Sequence, residues 1–373
     1  MSSTPLSNTI TRIQQGIADG MHLGAQLYIS RNGQVIIDDG IGQARPDQPL
    51  RSDHLMLWLS STKPIAAVAI AQLWERGRLE LDDPVARHIP EFAERGKEGV
   101  TLRHVLTHTG GFRGIAGTWT NRPWEQVIAH ICRSALEPGW VPGQKAGYHV
   151  ASGWFILGEV IRRVDGRTFD RYVREEIFLP LGMSDSWIGM PVEQARAYAE
   201  RLAPMYVADE TGFDDQYAGN TEEGITRCRP GANGRGPVHE LGRFYEMLLN
   251  HGQLPGSPRI LLPQTVEALT ARHRVGLYDH TFKHTLDWCL GLIPNNNYHG
   301  VQTIPYGYGP HVSMRTFGHS GHQSSTAFAD PEHRLVVALA FNGLPGEMKH
   351  DQRIRAVLPA IYEDLGLVNS TAA

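Results

Sequence analysis

Residues 60–63 read Ser-Ser-Thr-Lys, and the apolar run "PIAAVAIAQLW" follows at 64–74. A serine hydroxyl is a weak nucleophile until a neighbouring base takes its proton. On a helix, positions i and i+3 share a face, so Ser60 and Lys63 can touch. Lysine serves as a base only when its pKa falls. Burial of the apolar helix would disfavour the ammonium form. The positive end of the helix dipole, at 60–63, opposes a cation as well. That same end favours an oxyanion, held by the backbone N–H of Ser60. Pro64 suits a first helical turn, where no N–H is needed. Ser61 stands three residues before Pro64, which offers no base. A motif this short also arises by chance, and Ser or Thr before an apolar helix is often only a cap. On this stretch alone, a capped buried helix and a nucleophile beside its base are both open.

The chain has 18 histidines, and "HVLTH" (104–108) and "HTFKH" (280–284) place pairs at i, i+4. On a helix each pair would share a face. Neither has the glutamate of the HExxH metalloprotease pattern, so they are read as composition rather than as a metal site. His104 and His108 are expected to satisfy loop backbone. Serine–lysine chemistry itself requires no metal or organic cofactor.

Three further stretches accompany "SSTK" in order: "VTLRHVLTHTGGF" (100–112), "PGQKAGYHVASGWFILGEVI" (142–161) and "FGHSGHQSSTAFADPEHRLVVALAFNG" (317–343). Together they resemble the β-lactamase-related serine hydrolases. That family includes class C β-lactamases, D-alanyl-D-alanine carboxypeptidases and the family VIII carboxylesterases. The resemblance runs from about residue 10 to 365, and its long context strings are more specific than any four-residue motif. It implies an α+β fold: a central antiparallel sheet flanked by helices, with an inserted, mostly helical lobe. The sheet lobe would comprise 1–75 and 300–373, the helical lobe 76–299, with the site in the cleft between them.

The resemblance also implies roles. The family's SxxK motif falls on Ser60, the acylated nucleophile, and Lys63, its base partner. The Tyr-x-Asn motif falls on Tyr148-His149-Val150, with Tyr148 relaying a proton to the leaving group and helping to activate water. Which of Lys63 and Tyr148 is the base in acylation is open at this level. The Lys-Thr-Gly motif falls on His319-Ser320-Gly321. Gly321 would let substrate approach the strand edge, and the N–H of His322 would join that of Ser60 in the oxyanion hole.

Two departures bear on substrate. Val150 replaces the Asn whose side chain binds a substrate amide in the lactamases. His319 replaces a fixed lysine cation, and a histidine of ordinary pKa is mostly neutral at pH 7. Both changes point away from lactams and carboxylate-bearing peptides and towards an uncharged small-molecule ester. Acyl transfer to another acceptor and β-lactam or D-amino-acid amide hydrolysis are the alternatives. Tyr306 and Tyr308, in the glycine-flanked "YGYGP" loop, are candidate substrate contacts. Trp58 and Trp154 are candidate pocket walls, and helix packing is the competing reading for Trp154.

These residues need elements to carry them. "AQLYISRNGQVIIDDGIG" (25–42) is two β-rich runs around Asn32-Gly33, a hairpin signal. Residues 325–343 repeat that plan around 330–333. A last helix, about 348–365, carries Ile354, Val357, Leu358 and Ile361 on one face. The two hairpins are expected to share one antiparallel sheet. Residues 61–77, 151–165, 168–176 and 238–251 read as helices, and 200–236 and 293–312 as irregular loops.

Composition is that of an ordinary globular chain: 41% hydrophobic, 20% charged, net charge −4. No basic balance points to nucleic acid, and no apolar stretch nears the roughly 18 residues of a membrane helix. The three cysteines form no CxxC pair, and the N-terminus has no secretory pattern, so a cytoplasmic protein is expected.

Overall fold

Residues 335–341, Leu-Val-Val-Ala-Leu-Ala-Phe, are apolar at every position, and all are buried. A strand covered on both faces needs such a run. Leu335, Val337, Leu339 and Phe341 enter one core, while Val336, Ala338 and Ala340 enter the other. The period of two divides the molecule into layers. The structure, a computed structural model, describes residues 6–114 and 121–368.

The sheet has seven strands: β1 (Gly24–Arg31), β2 (Gln34–Arg45), β3 (Gln48–Pro49), β4 (Ile293–Pro294), β5 (Phe317–Ser320), β6 (Ser325–Asp330) and β7 (Leu335–Phe341). Their order is β4-β5-β6-β7-β1-β2-β3, with antiparallel pairing throughout. β7 pairs with β1 from Ala25 opposite Phe341 to Arg31 opposite Leu335. The two hairpins are therefore joined in one sheet, as the sequence led us to expect.

Helices α1 (Ser7–Ala18) and α5 (Glu347–Asp364) cover one face. Ile354, Val357, Leu358 and Ile361 of α5 all enter that core. The other face packs on α4 (Val238–Leu249), where Tyr28 of β1 donates its hydroxyl to Glu246 at 2.7 Å. Helix α2 (Lys63–Glu75) lies deeper, with every residue from Lys63 to Leu73 buried. A helix that is apolar all round belongs in the interior. Helix α3 (Ser152–Asp165) packs beside it and ends at Gly166, whose φ of 93° forms a left-handed cap.

The two stretches read as irregular contain more order than that. Residues 200–236 hold the strands Tyr206–Asp209, Gly212–Asp214 and Gly234–Gly236. The first pairs in parallel with Gly343–Leu344, which lies just past β7. The third pairs with Met56–Leu59, immediately before Ser60. Residues 293–312 begin with the edge strand β4. The pair His280 and His284 does not share a helical face, because this stretch is a tight hairpin with Asp279 opposite His284.

Candidate functional site

The strand Met56–Leu59 ends in backbone strain. Leu59 has φ 48° and ψ −131°, a region that residues with a Cβ avoid. Its carbonyl accepts from Thr62 Oγ1 at 2.6 Å, and that hydroxyl accepts from the Gly234 N–H at 2.8 Å. A Cβ on Gly234 would lie 2.6 Å from Thr62 Oγ1, so only glycine permits this approach. The turn delivers Ser60 to a short 3-10 segment, Ser60–Thr62, that continues into α2.

The two serines have different fates. Ser61 is fully buried, and its hydroxyl bonds the His319 carbonyl at 3.1 Å and Ser325 Oγ at 2.9 Å. It ties α2 to strands β5 and β6. Ser60 is only partly buried, and its Oγ lies 2.9 Å from Lys63 Nζ. Lys63 Nζ also donates to the Gly231 carbonyl at 2.8 Å. Burial alone drives the Lys63 pKa well below the ordinary lysine value.

Tyr148 closes the group from the other side. Its phenol shares a hydrogen bond with Ser60, and its ring centroid lies 5.1 Å from Lys63 Nζ. Burial raises its pKa above the ordinary phenol value, partly offset by the Ser60 bond. The proton order is thus reversed from free side chains: the amine gives up its proton more readily than usual, and the phenol holds its own. Asp279 anchors the Tyr148 backbone, accepting from its N–H at 3.0 Å and from Phe282 N–H at 3.0 Å. Arg274 pairs with Asp279 at 3.1 Å, both fully buried. His108 packs its ring 4.7 Å from that of Tyr148, and its Nδ1 accepts from the His149 N–H at 2.9 Å. Phe282 covers the Tyr148 ring at 4.8 Å.

Strand β5 supplies the third side. His319 is 1% exposed, and its Nδ1 donates to the Ser320 carbonyl at 2.8 Å. Burial and the Lys63 charge push its pKa down to about 3, so it stays neutral across the working range. Ser320 Oγ is 2.9 Å from Thr326 Oγ1. Gly321 has a reason beyond substrate access. A Cβ there would sit 2.4 Å from the Trp58 carbonyl and 3.0 Å from Leu59 Cβ. The glycine therefore brings the strand end against the turn that carries Ser60. Gly321 N–H points back to Ser325 O at 2.7 Å. The next N–H, of His322, donates to no acceptor among the described residues. The His322 imidazole pairs with Glu347 at 3.0 Å.

The remaining candidates divide. Val150 is 53% exposed and offers no hydrogen-bonding group beside Tyr148. Tyr306, with φ 55°, donates its hydroxyl to Glu347 at 2.9 Å and packs against Phe282 at 6.1 Å. Tyr308 is not a substrate contact. It is buried in the core shared with Phe328, and its hydroxyl satisfies the Ile293 carbonyl at 3.1 Å. Trp58 is no pocket wall either: it is wholly buried, with its indole N–H on Gly236 O at 3.1 Å. Trp154 packs on helix neighbours, yet its ring lies 5.5 Å from Lys63 Nζ and helps to dry it. His104 caps its helix, with Nδ1 accepting from Thr101 N–H at 3.2 Å. Among the described residues no three His, Cys, Asp or Glu side chains converge as metal ligands.

Reading from sequence missed Gly231, Asp279 and Phe282 as partners of Lys63 and Tyr148. No local pattern marks them, since each arrives from more than a hundred residues away.

The sheet, its helices and this cluster are the framework of the β-lactamase and penicillin-binding-protein fold, and the chain is a serine hydrolase. A family model described as Beta-lactamase matches residues 10–361, and the chain belongs to that family. Esterase/beta-lactamase LipL of Mycobacterium tuberculosis is 29% identical over 346 residues, 86% of this chain and 77% of the relative. A family VIII carboxylesterase structure superposes with a TM-score of 0.80 at 27% identity, covering 96% of this chain and 97% of that one. A penicillin-binding protein homologue from Caulobacter crescentus gives 0.77 at 30% identity, covering 95% and 97%.

Proposed function

We propose that this chain hydrolyses uncharged carboxylic esters through an acyl-enzyme on Ser60. The observation that carries the reading is the 2.9 Å contact of Lys63 Nζ with Ser60 Oγ, in a place where burial lowers the amine's pKa well below its ordinary value. Lys63 takes the Ser60 proton as Oγ attacks the ester carbonyl. The N–H groups of Ser60 and His322 hold the oxygen that gains charge. Tyr148 gives its proton to the departing alkoxide, and the phenolate left behind is paired with the new Lys63 ammonium. The phenolate then takes a proton from water, whose oxygen attacks the acyl carbonyl, and, as the acid leaves, the Lys63 ammonium returns its proton to Ser60 Oγ.

The substrate class rests on what faces the site. His319 is neutral where a carboxylate would need a cation, and Val150 has no amide to offer a peptide or lactam. Tyr306 is the candidate contact that keeps an exposed polar end. We place the site between a sheet lobe, 1–75 and 300–373, and a helical lobe, 76–299, with Ser60 and His322 from the first and Tyr148 from the second. We also assign the protein to the cytoplasm. Cys132, Cys228 and Cys289 are all free, which suits a reducing compartment. No described helix is long and apolar enough to cross a membrane.

Intact-mass spectrometry after mixing with a panel of p-nitrophenyl esters tests the reading. A transient mass increase equal to the acyl group, mapped to Ser60, is expected. No adduct on Ser60 with any ester, despite p-nitrophenol release, would sink it. The mycobacterial relative's name joins esterase with β-lactamase, so nitrocefin belongs in the panel. Turnover of nitrocefin at the rate of the best ester would replace the ester reading with a lactamase one.

A further inference from the structure

Arg353, on α5, is 3% exposed and has no carboxylate partner among the described residues. Nη1 reaches the Met21 carbonyl at 3.3 Å and His22 Nδ1 at 3.0 Å. Nη2 reaches the carbonyls of Gln323 at 3.0 Å and Gly343 at 3.2 Å, and His350 Nδ1 at 3.0 Å. Its flat face lies 3.9 Å from the Phe341 ring centroid. A buried cation without a counter-ion is expensive to keep. Burial brings even this guanidinium down to about 9. Both histidines are held neutral by burial and by Arg353 itself, which leaves their Nδ1 lone pairs to accept. The ester mechanism above gives Arg353 no part.

Its partners show what it holds. Gln323 is the residue after His322, and its φ of 46° is strained for a side chain larger than glycine. A strained turn persists only when its surroundings fix it. The turn's own bonds, Ser324 N–H to Gly321 O at 3.1 Å and Gly321 N–H to Ser325 O at 2.7 Å, close the hairpin, and three further contacts reach it from residues 346–353. Arg353 binds the Gln323 carbonyl, Gly346 N–H donates to Gln323 Oε1 at 2.7 Å, and Glu347 pairs with the His322 imidazole. The His322 N–H lies inside the segment that these contacts clamp.

We propose that Arg353 is a positioning residue for the oxyanion hole, holding the 322–323 turn so that the His322 N–H faces the ester oxygen beside Ser60. The proposal rests on the oxyanion role given to His322. A buried cation suits this task because five acceptors from four chain segments converge on one planar group. A lysine would keep the charge but could not reach all of them at once.

The test compares turnover of a carboxylic ester with that of its thionoester, in which sulfur replaces the carbonyl oxygen. Sulfur accepts hydrogen bonds poorly, so the thionoester gains little from an oxyanion hole. The wild-type protein should prefer the ester strongly. Arg353→Lys should cut ester kcat by about 10²-fold, the scale of a misplaced group near the reacting atoms. Ester KM should stay within about threefold, since ground-state contacts survive. Thionoester kcat should change far less, so the preference collapses. Should Arg353→Lys not fold, Arg353→Gln decides the matter: it removes the buried charge and the reach to the Gln323 carbonyl while leaving the Gly346–Gln323 and Glu347–His322 contacts in place, and it should lower the preference in the same way. An unchanged ester-to-thionoester ratio in the folded variant overturns the role of Arg353. A wild-type protein with no preference overturns the oxyanion reading, and the role of Arg353 with it.

Discussion

Lys63 Nζ lies between Ser60 Oγ, at 2.9 Å, and the Gly231 carbonyl, at 2.8 Å. A carbonyl only accepts, so the amine must donate one N–H to Gly231. That bond fixes the rotation of the amino group and turns its remaining valences towards Ser60. With its pKa lowered by burial, the amine gives up its proton more readily than a free lysine and so can offer a lone pair to the Ser60 hydroxyl. The contact that anchors the base also aims it. The proposed mechanism accordingly gives the acylation proton to Lys63, since the Tyr148 phenol holds its own proton more tightly than a free one.

The two adjacent serines separate cleanly. Ser60→Ala should lower kcat/KM for p-nitrophenyl butyrate by at least about 10³-fold, the scale of losing a covalent nucleophile. Ser61→Ala should retain most activity and instead lower thermal stability. Its hydroxyl bonds His319 O and Ser325 Oγ in the interior, and a lost buried hydrogen bond costs about 1 kcal/mol. Calorimetry and ester kinetics on both variants check this. The opposite pattern would mean that the attacking serine has been misassigned.

Lys63→Met should abolish activity and yet raise the melting temperature. In the folded chain the amine has a pKa well below its ordinary value, so the unfolded chain binds a proton that the folded chain does not. Stability therefore rises with pH over the window from the lowered folded value up to about 10.4. Below that upper limit Lys63 weakens the fold, and methionine removes the effect. The gain in melting temperature should be largest near neutral pH and shrink as pH approaches about 10. A gain that does not change between pH 7 and pH 10 would show that Lys63 is charged in the native state.

Tyr148→Phe tests the leaving-group proton. A p-nitrophenolate departs without protonation, whereas an ethoxide does not. In kcat/KM, which reports acylation before water is activated, the variant should lose about 10²–10⁴-fold on ethyl esters, the range of general-acid catalysis, and far less on p-nitrophenyl esters. Equal losses on both series would place Tyr148 outside the leaving-group step. In wild type, the raised phenol pKa keeps the proton on Tyr148 through neutral pH. Activity on ethyl esters should therefore fall on the acid side, where Lys63 becomes protonated, rather than near pH 7 on the alkaline side.

What sequence revealed and what it hid follow from the range of the interactions. The β1–β2 hairpin, α2 and α5 announce themselves through periodicity and Asn32-Gly33, because local spacing decides which face is buried. Ser60 and Lys63 are three apart, so their contact is also local. Tyr148 and His319 were found only through the family's context strings. The Gly231 carbonyl, Asp279 and Arg353 left no mark, because backbone acceptors and buried ions gain their roles from folding. Trp58 and Tyr308 misled for a related reason. Aromatic residues in glycine-rich or site-adjacent stretches suggest pocket walls. Here their N–H and O–H found buried carbonyls, Gly236 and Ile293, which lets large rings sit in the core.

Asp279 gives the last prediction. It accepts from the N–H of Tyr148 and pairs with buried Arg274. Asp279→Asn leaves that guanidinium without its counter-ion and should cost about 3–5 kcal/mol of stability. Combining it as Asp279→Leu with Arg274→Met removes both charges, and much of that stability should return. Activity should not return with it. The Tyr148 and Phe282 N–H groups have then lost their common acceptor, and the phenol is no longer held against Ser60. Urea titration and ethyl-ester kinetics on the single and double variants separate the two effects. Recovery of kcat together with stability would mean that Asp279 serves only to neutralise Arg274.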